Sequence, residues 1–385
     1  MRFDVDEFVK WVHTIAVNGL GTAYDDDLTF GPVMAFIWGT LAAIEPAFRV
    51  VTDAADPAIR ALMRTPASLA DIGLALLAAY ALRDRPRWAI VAAVAIVLHP
   101  AVIHISGWWG QYESIYVLSA LAAVVLAING HDKPAAMFVA VSLMTKPQAL
   151  PFILPFAAWF WARGGLRGLL VAGVIGLVTI AVLWLPFLAA DGPRQYLGNL
   201  AHYQQEIFPI LSLRAWNLWW IVQEWLAPGE FVHDQTALIG PLTARYIGYG
   251  MTFGLSLLIA MRIAREPTPR SLILGMAAAT MVAFCFLTSM HERYAYGAVI
   301  FLLLLVPERP IRWLALALSV VFILNLLAAV PPDGWPVVPV GGPLGIAGSL
   351  AMLAIMIATL VLLMRPSESV SQDHRVGAVP EAAGL

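Results

Sequence analysis

Residues 167–189 read "RGLLVAGVIGLVTIAVLWLPFLA", and after the opening arginine no side chain carries a charge. A run of that length matches the roughly 17–25 apolar residues a helix needs to cross a bilayer. Comparable runs recur at 67–82, 88–105, 115–129, 134–162, 240–262, 269–290, 296–306, 311–330 and 343–364. Across all 385 residues only 12% are charged and 60% are hydrophobic, with a mean hydropathy of +0.78, whereas soluble domains carry charge on about a quarter of their residues. Helices satisfy their own backbone in lipid, so the expected fold is all-α, a polytopic transmembrane bundle of about 10–12 membrane helices. With a net charge of −2 and no basic cluster, nothing points to nucleic acid as a partner; membrane lipids are the expected surroundings. The lone Cys285 lies in the apolar run "MVAFCFLTSM" and reads as a buried thiol.

Three regions follow: an external segment at 1–66 with amphipathic or interfacial helices and acidic residues, the bundle at 67–364, and a polar, disordered cytoplasmic tail at 365–385. No signal peptide is visible, because the start has no apolar core. Orientation comes from the arginines. Short loops at 82–88, 129–134, 162–167, 262–270, 307–313 and 364–369 carry Arg or Lys, which places them in the cytoplasm by the positive-inside rule. The polar turns between them, "SGWWGQYES", "TKPQALP", the stretch 190–239, "SMHERYAYG" and "PPDGWPVVPVGGP", then share the other face.

Two of these turns are expected below the membrane surface. Only about 30 residues separate Asp132 from Arg163, too few for two full spans, so Lys146-Pro147-Gln148 should join two half-helices. Proline breaks the helix there, and a lysine at depth calls for a polar cavity; the alternative is a Lys146 that snorkels to the interface. In "SMHERYAYG", Glu292 and Arg293 either pair as a plain loop, with Tyr294 and Tyr296 anchored at the headgroups, or Arg293 and His291 face an anionic substrate. Trp216, Trp219, Trp220 and Trp225 suggest either an interfacial belt or a lid whose rings stack on sugars, with Asn217 and Arg214 as polar partners. Phe3, Phe8, Trp11, Val12 and Ile15 fall at helical spacing. Asp25, Asp26 and Asp27 form either a solvated turn or the ligands of a divalent cation such as Mg2+ or Mn2+.

Taken in order, D-x3-F-x2-W at 4–11, W-G-Q-Y-E at 109–113, K-P-Q-A-L-x4-P at 146–155, A-x-N-x-W at 215–219 and H-E-R-Y at 291–294 resemble the GT-C glycosyltransferases. The pattern is most similar to the prokaryotic Gpi18-like mannosyltransferase group, and more distantly to the glucosyltransferases that extend the lipid-linked oligosaccharide of N-glycosylation. The resemblance implies a multi-pass enzyme of the cell membrane and envelope. It would transfer a hexose, mannose in that group, from a polyprenyl-phosphate-linked donor to a hydroxyl of a lipid or glycan acceptor on the non-cytoplasmic face, with inversion. It further implies an external-loop aspartate as base, Asp4 or its neighbour Asp6. Lys146, Gln148, His291, Arg293 and Tyr294 would surround the donor phosphate. Trp11, Trp109, Gln111, Glu113, Asn217 and Trp219 would form the acceptor or sugar pocket. Glu113 stands where many relatives carry Asp, and relatives begin with a span ahead of the loop in which this sequence opens.

The chemistry matches those residue types. A sugar phosphate is a good leaving group that needs positive charge where its own charge grows, and a carboxylate that takes the acceptor proton contributes about 10²–10⁴ in rate. A polytopic transporter or flippase is the rival reading, since broken helices and buried charge also mark carriers, but neither K-P-Q nor W-G-Q occurs a second time. A non-catalytic partner in an envelope assembly is a third.

Overall fold

A computed structural model describes residues 3–366 of the chain, so nearly all of the tail expected at 365–385 lies outside the described residues. Among the described residues 76% are helical, and seven helical segments there are long and apolar enough to cross a membrane. In chain order the helices are α1 (Phe3–Asn18), α2 (Pro32–Ile44), α3 (Pro57–Ala81), α4 (Pro86–Val97), α5 (Pro100–Val102), α6 (Glu113–Ile128), α7 (Asp132–Leu143), α8 (Ile153–Trp184), α9 (Gly192–His202), α10 (Leu218–Leu226), α11 (Ala244–Arg265), α12 (Pro269–Phe286), α13 (Tyr296–Leu303), α14 (Arg309–Ala329) and α15 (Gly342–Met364). Proline at the first or second position opens α2, α3, α4, α12, α14 and α15, where its missing N–H costs no bond. The apolar runs 115–129 and 296–306 become α6 and α13, shorter than a full span.

The arginine loops gather at one end. Arg83 donates to Asn129 Oδ1 at 3.2 Å, Arg163 to Asp132 at 3.3 Å, Arg270 to Glu308 at 2.9 Å and Arg262 to the Arg365 carbonyl at 2.9 Å. The Arg312 guanidinium lies 4.3 Å from the Trp88 ring centre and joins the two groups of loops. One basic pole results. The N-termini of α3 and α6, the 144–148 turn and the 290–295 turn belong to the opposite pole.

Residues 3–44 cap that opposite pole as helices. The apolar face of α1, Val5, Phe8, Val9, Trp11, Val12 and Ile15, is buried against Phe30, Trp38 and Tyr112, so it packs on protein. Asp56 accepts from the Ala58 N–H and Pro57 follows it, which starts α3 ahead of the boundary expected at 66. Arg60 and Arg64 shorten the apolar run there without shortening the helix.

As expected, two short helices flank Lys146. α7 ends at Leu143, Lys146 is extended, and Pro147–Phe152 forms a 3-10 turn before α8. α8 itself breaks at Gly165, whose φ is 56°. The 31–33 backbone grips the turn: Gly31 N–H donates to the Thr145 carbonyl and Val33 N–H to that of Met144, both at 3.1 Å. Gly31 is required there because a Cβ would overlap the Met144 carbonyl.

The stretch 190–239 behaves differently from either expectation. Trp216, Trp219 and Trp220 are buried in the bundle, and only Trp225 is exposed, at 79%. Trp216 donates to the Val340 carbonyl at 2.9 Å and its backbone N–H to Asn325; Trp216 and Trp220 lie against α15 and Trp219 against α11 and α12. Two small sheets accompany them. Strand β1 (Ser212–Leu213) runs parallel to β4 (Met290–His291), and β2 (Ala237–Ile239) pairs antiparallel with β3 (Leu242–Thr243). Asp234, held by Arg245 through two 2.8 Å bonds and by Thr288 at 2.9 Å, braces this region.

Gly31→Ala should lower stability by about 1–3 kcal/mol through overpacking against a fixed carbonyl, while Gly173→Ala, where nothing lies within 4 Å, should not. Thermal unfolding of the two variants in detergent checks this.

Candidate active site

Asp4 stands in the first turn of α1, where the helix dipole favours a carboxylate. Its Oδ2 accepts from Trp109 Nε1 at 3.1 Å and from Gln111 Nε2 at 2.8 Å. The W-G-Q turn is shaped to make both bonds. Ile103–Trp109 winds as a π-helical turn and Gly110 is left-handed at φ 87°, so the chain reverses with both side chains aimed at one oxygen. Gly110 also lacks room for a Cβ, which would meet Arg64 Cγ at 3.1 Å. Asp4 Oδ1 makes no bond to a described residue.

Glu113, first in α6, is the centre of the charged group. Its Oε1 accepts from both Lys146 Nζ and Arg293 Nε, the latter at 3.2 Å. Arg293 Nη1 bonds Glu292 at 3.2 Å and His291 Nδ1 at 3.1 Å. The parallel pairing of Leu213 with His291 fixes this turn. The Arg293 guanidinium lies 4.7 Å from the Trp109 ring centre, and Lys146 Nζ 5.3 Å from that of Tyr294. Burial, and then the charges of Arg293 and Lys146, hold His291 well below the usual histidine range, and its Nδ1 accepts the hydrogen bond that Arg293 Nη1 donates. Burial likewise pulls Lys146 down against the pull of Glu113, and pushes Glu292 up against that of Arg293.

Donor counting shows what remains free. An ammonium has three N–H groups and a guanidinium five; Lys146 spends one on Glu113, and Arg293 Nη2 makes no bond to a described residue. Buried acceptors are also unspent: Gln111 Oε1, Glu113 Oε2 and Gln148 Oε1 have no partner. Unmatched oxygens beside unspent cationic donors suit a ligand with hydroxyls and an anion.

A cavity of about 370 Å³ lies along α1, lined by Glu7, Lys10, Trp11, His13, Thr14, Asp26 and Asp27. Glu7 and Trp11 follow Asp4 at i+3 and i+7, on one helix face. The three aspartates do not converge. Asp25 takes Gln195 at 3.0 Å, Asp26 takes Thr14 at 2.5 Å, and Asp27 takes Trp11 Nε1 at 2.9 Å. No three His, Cys, Asp or Glu side chains form a metal-binding group among the described residues, so Asp25–Asp27 do not fit the expected Mg2+ or Mn2+ site.

Other expected residues fall elsewhere. Asp6 accepts from the Ala54 N–H at 2.7 Å and ties α1 to the 53–56 turn. Asn217 caps α10 through Trp220 N–H and donates to the Phe284 carbonyl, both at 3.0 Å, and Trp219 donates to the Phe286 carbonyl at 2.5 Å. Both residues join α10 to α12, and their polar atoms are consumed by that joint. Tyr296 is interior and donates to Asp71 at 2.6 Å, so it is no headgroup anchor. Glu7 and His13, which line the cavity, were not singled out by sequence, although Glu7 follows Asp4 by one turn of the same helix.

No curated protein is detectably similar to the chain. Residues 34–331 match the ALG6, ALG8 glycosyltransferase family, a span that holds the W-G-Q-Y-E, K-P-Q and H-E-R-Y turns and begins after α1. The narrower Gpi18-like grouping finds no support in that match. With its span-length helices, this chain belongs to the ALG6/ALG8 family: it is a multi-pass membrane glycosyltransferase of the GT-C superfamily that draws on a lipid-linked sugar.

Proposed function

We propose that the protein transfers a hexose from a polyprenyl-phosphate-linked donor to an acceptor hydroxyl at the pole opposite the basic loops, outside the cytoplasm, with inversion. The observation that carries this reading is Asp4: one carboxylate oxygen is fixed by Trp109 and Gln111 while the other is free, beside the Lys146–Glu113–Arg293 group. The acceptor, seated in the cavity along α1, places its hydroxyl against Asp4 Oδ1. Its oxygen attacks the anomeric carbon, the bond from that carbon to the phosphate oxygen breaks, and the hydroxyl proton passes to Asp4. The departing lipid phosphate gains charge among the unspent N–H groups of Lys146 and Arg293, which stabilise it more than the ground state. Gln111, Gln148 and Glu113 offer their unmatched oxygens to the sugar hydroxyls. Mannose follows from the motif resemblance, and glucose is the alternative that the matched family raises.

Transfer of radiolabelled mannose or glucose from the matching polyprenyl phosphate by purified protein tests the reading, and no transfer from either donor would contradict it. Asp4→Asn should lower the rate by about 10²–10⁴ without changing thermal stability, and Asp6→Asn, which keeps an acceptor for Ala54, should stay near wild type. Equal loss in both would remove the assignment of the base. Lys146→Gln should weaken donor binding more than tenfold, measured by calorimetry. Because the aspartates do not converge, transfer should persist in EDTA; loss that Mg2+ or Mn2+ restores would overturn that expectation.

A further inference from the structure

Beside the Asp4 site is a second, smaller cavity of about 170 Å³, lined by Val5, Ala54, Arg60, Arg64, Trp108, Trp109 and Asp333. It is well above the roughly 10–15 Å³ that one water needs, so a solvated anion fits. Trp109 belongs to both places: its ring lines this cavity and its N–H holds Asp4.

The charges in this cavity are unbalanced. Arg60 is anchored by Nε and Nη2 bonds to the Ala54 carbonyl at 3.0 and 2.8 Å, which leaves Nη1 unspent. Arg64 makes no hydrogen bond or ion pair with a described residue, and its Nε is buried and unmatched. Asp333 is exposed and forms no ion pair with either arginine. Two guanidinium groups four residues apart on one helix repel each other, and an unpartnered buried donor costs free energy. Folding alone favours neither feature, and a bound oxyanion relieves both. Because the family draws on a lipid-linked sugar, a lipid phosphate is the oxyanion at hand.

We propose that Arg60 and Arg64, closed over by Trp108 and Trp109, form a second anion site that takes a phosphate carried on an isoprenoid lipid. Arg64 holds it through the planar fork that matches phosphate oxygens, and Arg60 adds Nη1. Which substrate brings the phosphate, donor or acceptor, rests on the transfer reading above; the site itself does not.

The test titrates the purified full-length protein in nanodiscs with a short polyprenyl phosphate and, separately, with inorganic phosphate. Wild type should bind the lipid phosphate, Arg64→Gln at least tenfold more weakly, and Arg64→Lys in between, with unchanged melting temperatures. Steady-state transfer by Arg64→Gln then separates the sources. A KM rise confined to the acceptor assigns the acceptor's phosphate and supports the site; one confined to the donor, whose phosphate the transfer reading seats at Lys146 and Arg293, overturns it as a second site. Equal lipid-phosphate affinity in wild type and Arg64→Gln overturns it, as does inorganic phosphate binding as tightly as the lipid form, or no binding by wild type. A protein that transfers no sugar yet loses lipid binding in Arg64→Gln would sink the transfer reading and keep the site. Active transfer with unaltered binding would do the reverse.

Discussion

One buried carboxylate holds the working end of this protein together. Glu113 accepts from Lys146 and from Arg293 on a single oxygen, and so ties the start of α6 to the 144–148 turn and the 290–295 turn. Removing one member of such a buried pair costs roughly 3–5 kcal/mol, because the partner charge stays behind without a counterion. The arrangement therefore constrains where both cations stand. It also leaves part of their hydrogen-bonding capacity unused, which distinguishes it from a purely structural ion pair such as Asp234 with Arg245, where two 2.8 Å bonds match the carboxylate to the fork.

The rest of the fold serves this end from a distance. Arginine-bearing loops knit the far pole through bonds such as Arg270 to Glu308 and the stack of Arg312 on Trp88. The helices between present apolar surfaces that suit lipid. At the near pole, α1 and α2 bury an aromatic cluster of Phe8, Trp11, Phe30, Trp38 and Tyr112, and this packing sets Asp4 against the W-G-Q turn. Asp4, the two cations and the unmatched oxygens of Gln111, Glu113 and Gln148 thus come from four separate stretches of chain, each held by a different local device: a helix start, a π-helical turn, a broken helix pair and a two-residue strand.

Much of this was legible in the sequence for physical reasons. Long apolar runs specify spanning helices, and the arginines sort the loops into two sets. Proline after Lys146, with about 30 residues between Asp132 and Arg163, left room only for half-helices. The placement of the polar turns on one face came from the loops, and the grouping of Asp4, Trp109, Gln111, Glu113, Lys146 and Arg293 came from the motif resemblance laid over it. What failed was inference from the residue types of a single polar stretch. A tryptophan-rich stretch can pack inside or lie at an interface with the same sequence, and Trp216, Trp219 and Trp220 pack inside. Three adjacent aspartates can converge or diverge, and the side chains of Asp25, Asp26 and Asp27 are taken by three different partners. The pairing of Ser212 and Leu213 with Met290 and His291 joins residues far apart in the chain and left no local signal. Arg60 and Arg64 did carry one, like charges one helical turn apart, but inside a segment that read as a loop.

The proposed transfer requires the pole bearing Asp4 to face away from the cytoplasm while the arginine loops face it. Native Cys285 is buried, so single cysteines can be read against a silent background. Cells expressing Lys10→Cys or His131→Cys, treated with a membrane-impermeant maleimide, give the most direct measurement. Labelling of Lys10→Cys in intact cells, with His131→Cys reacting only after permeabilisation, is the predicted result. Labelling of His131→Cys in intact cells, or of both sites from the same side, would contradict it.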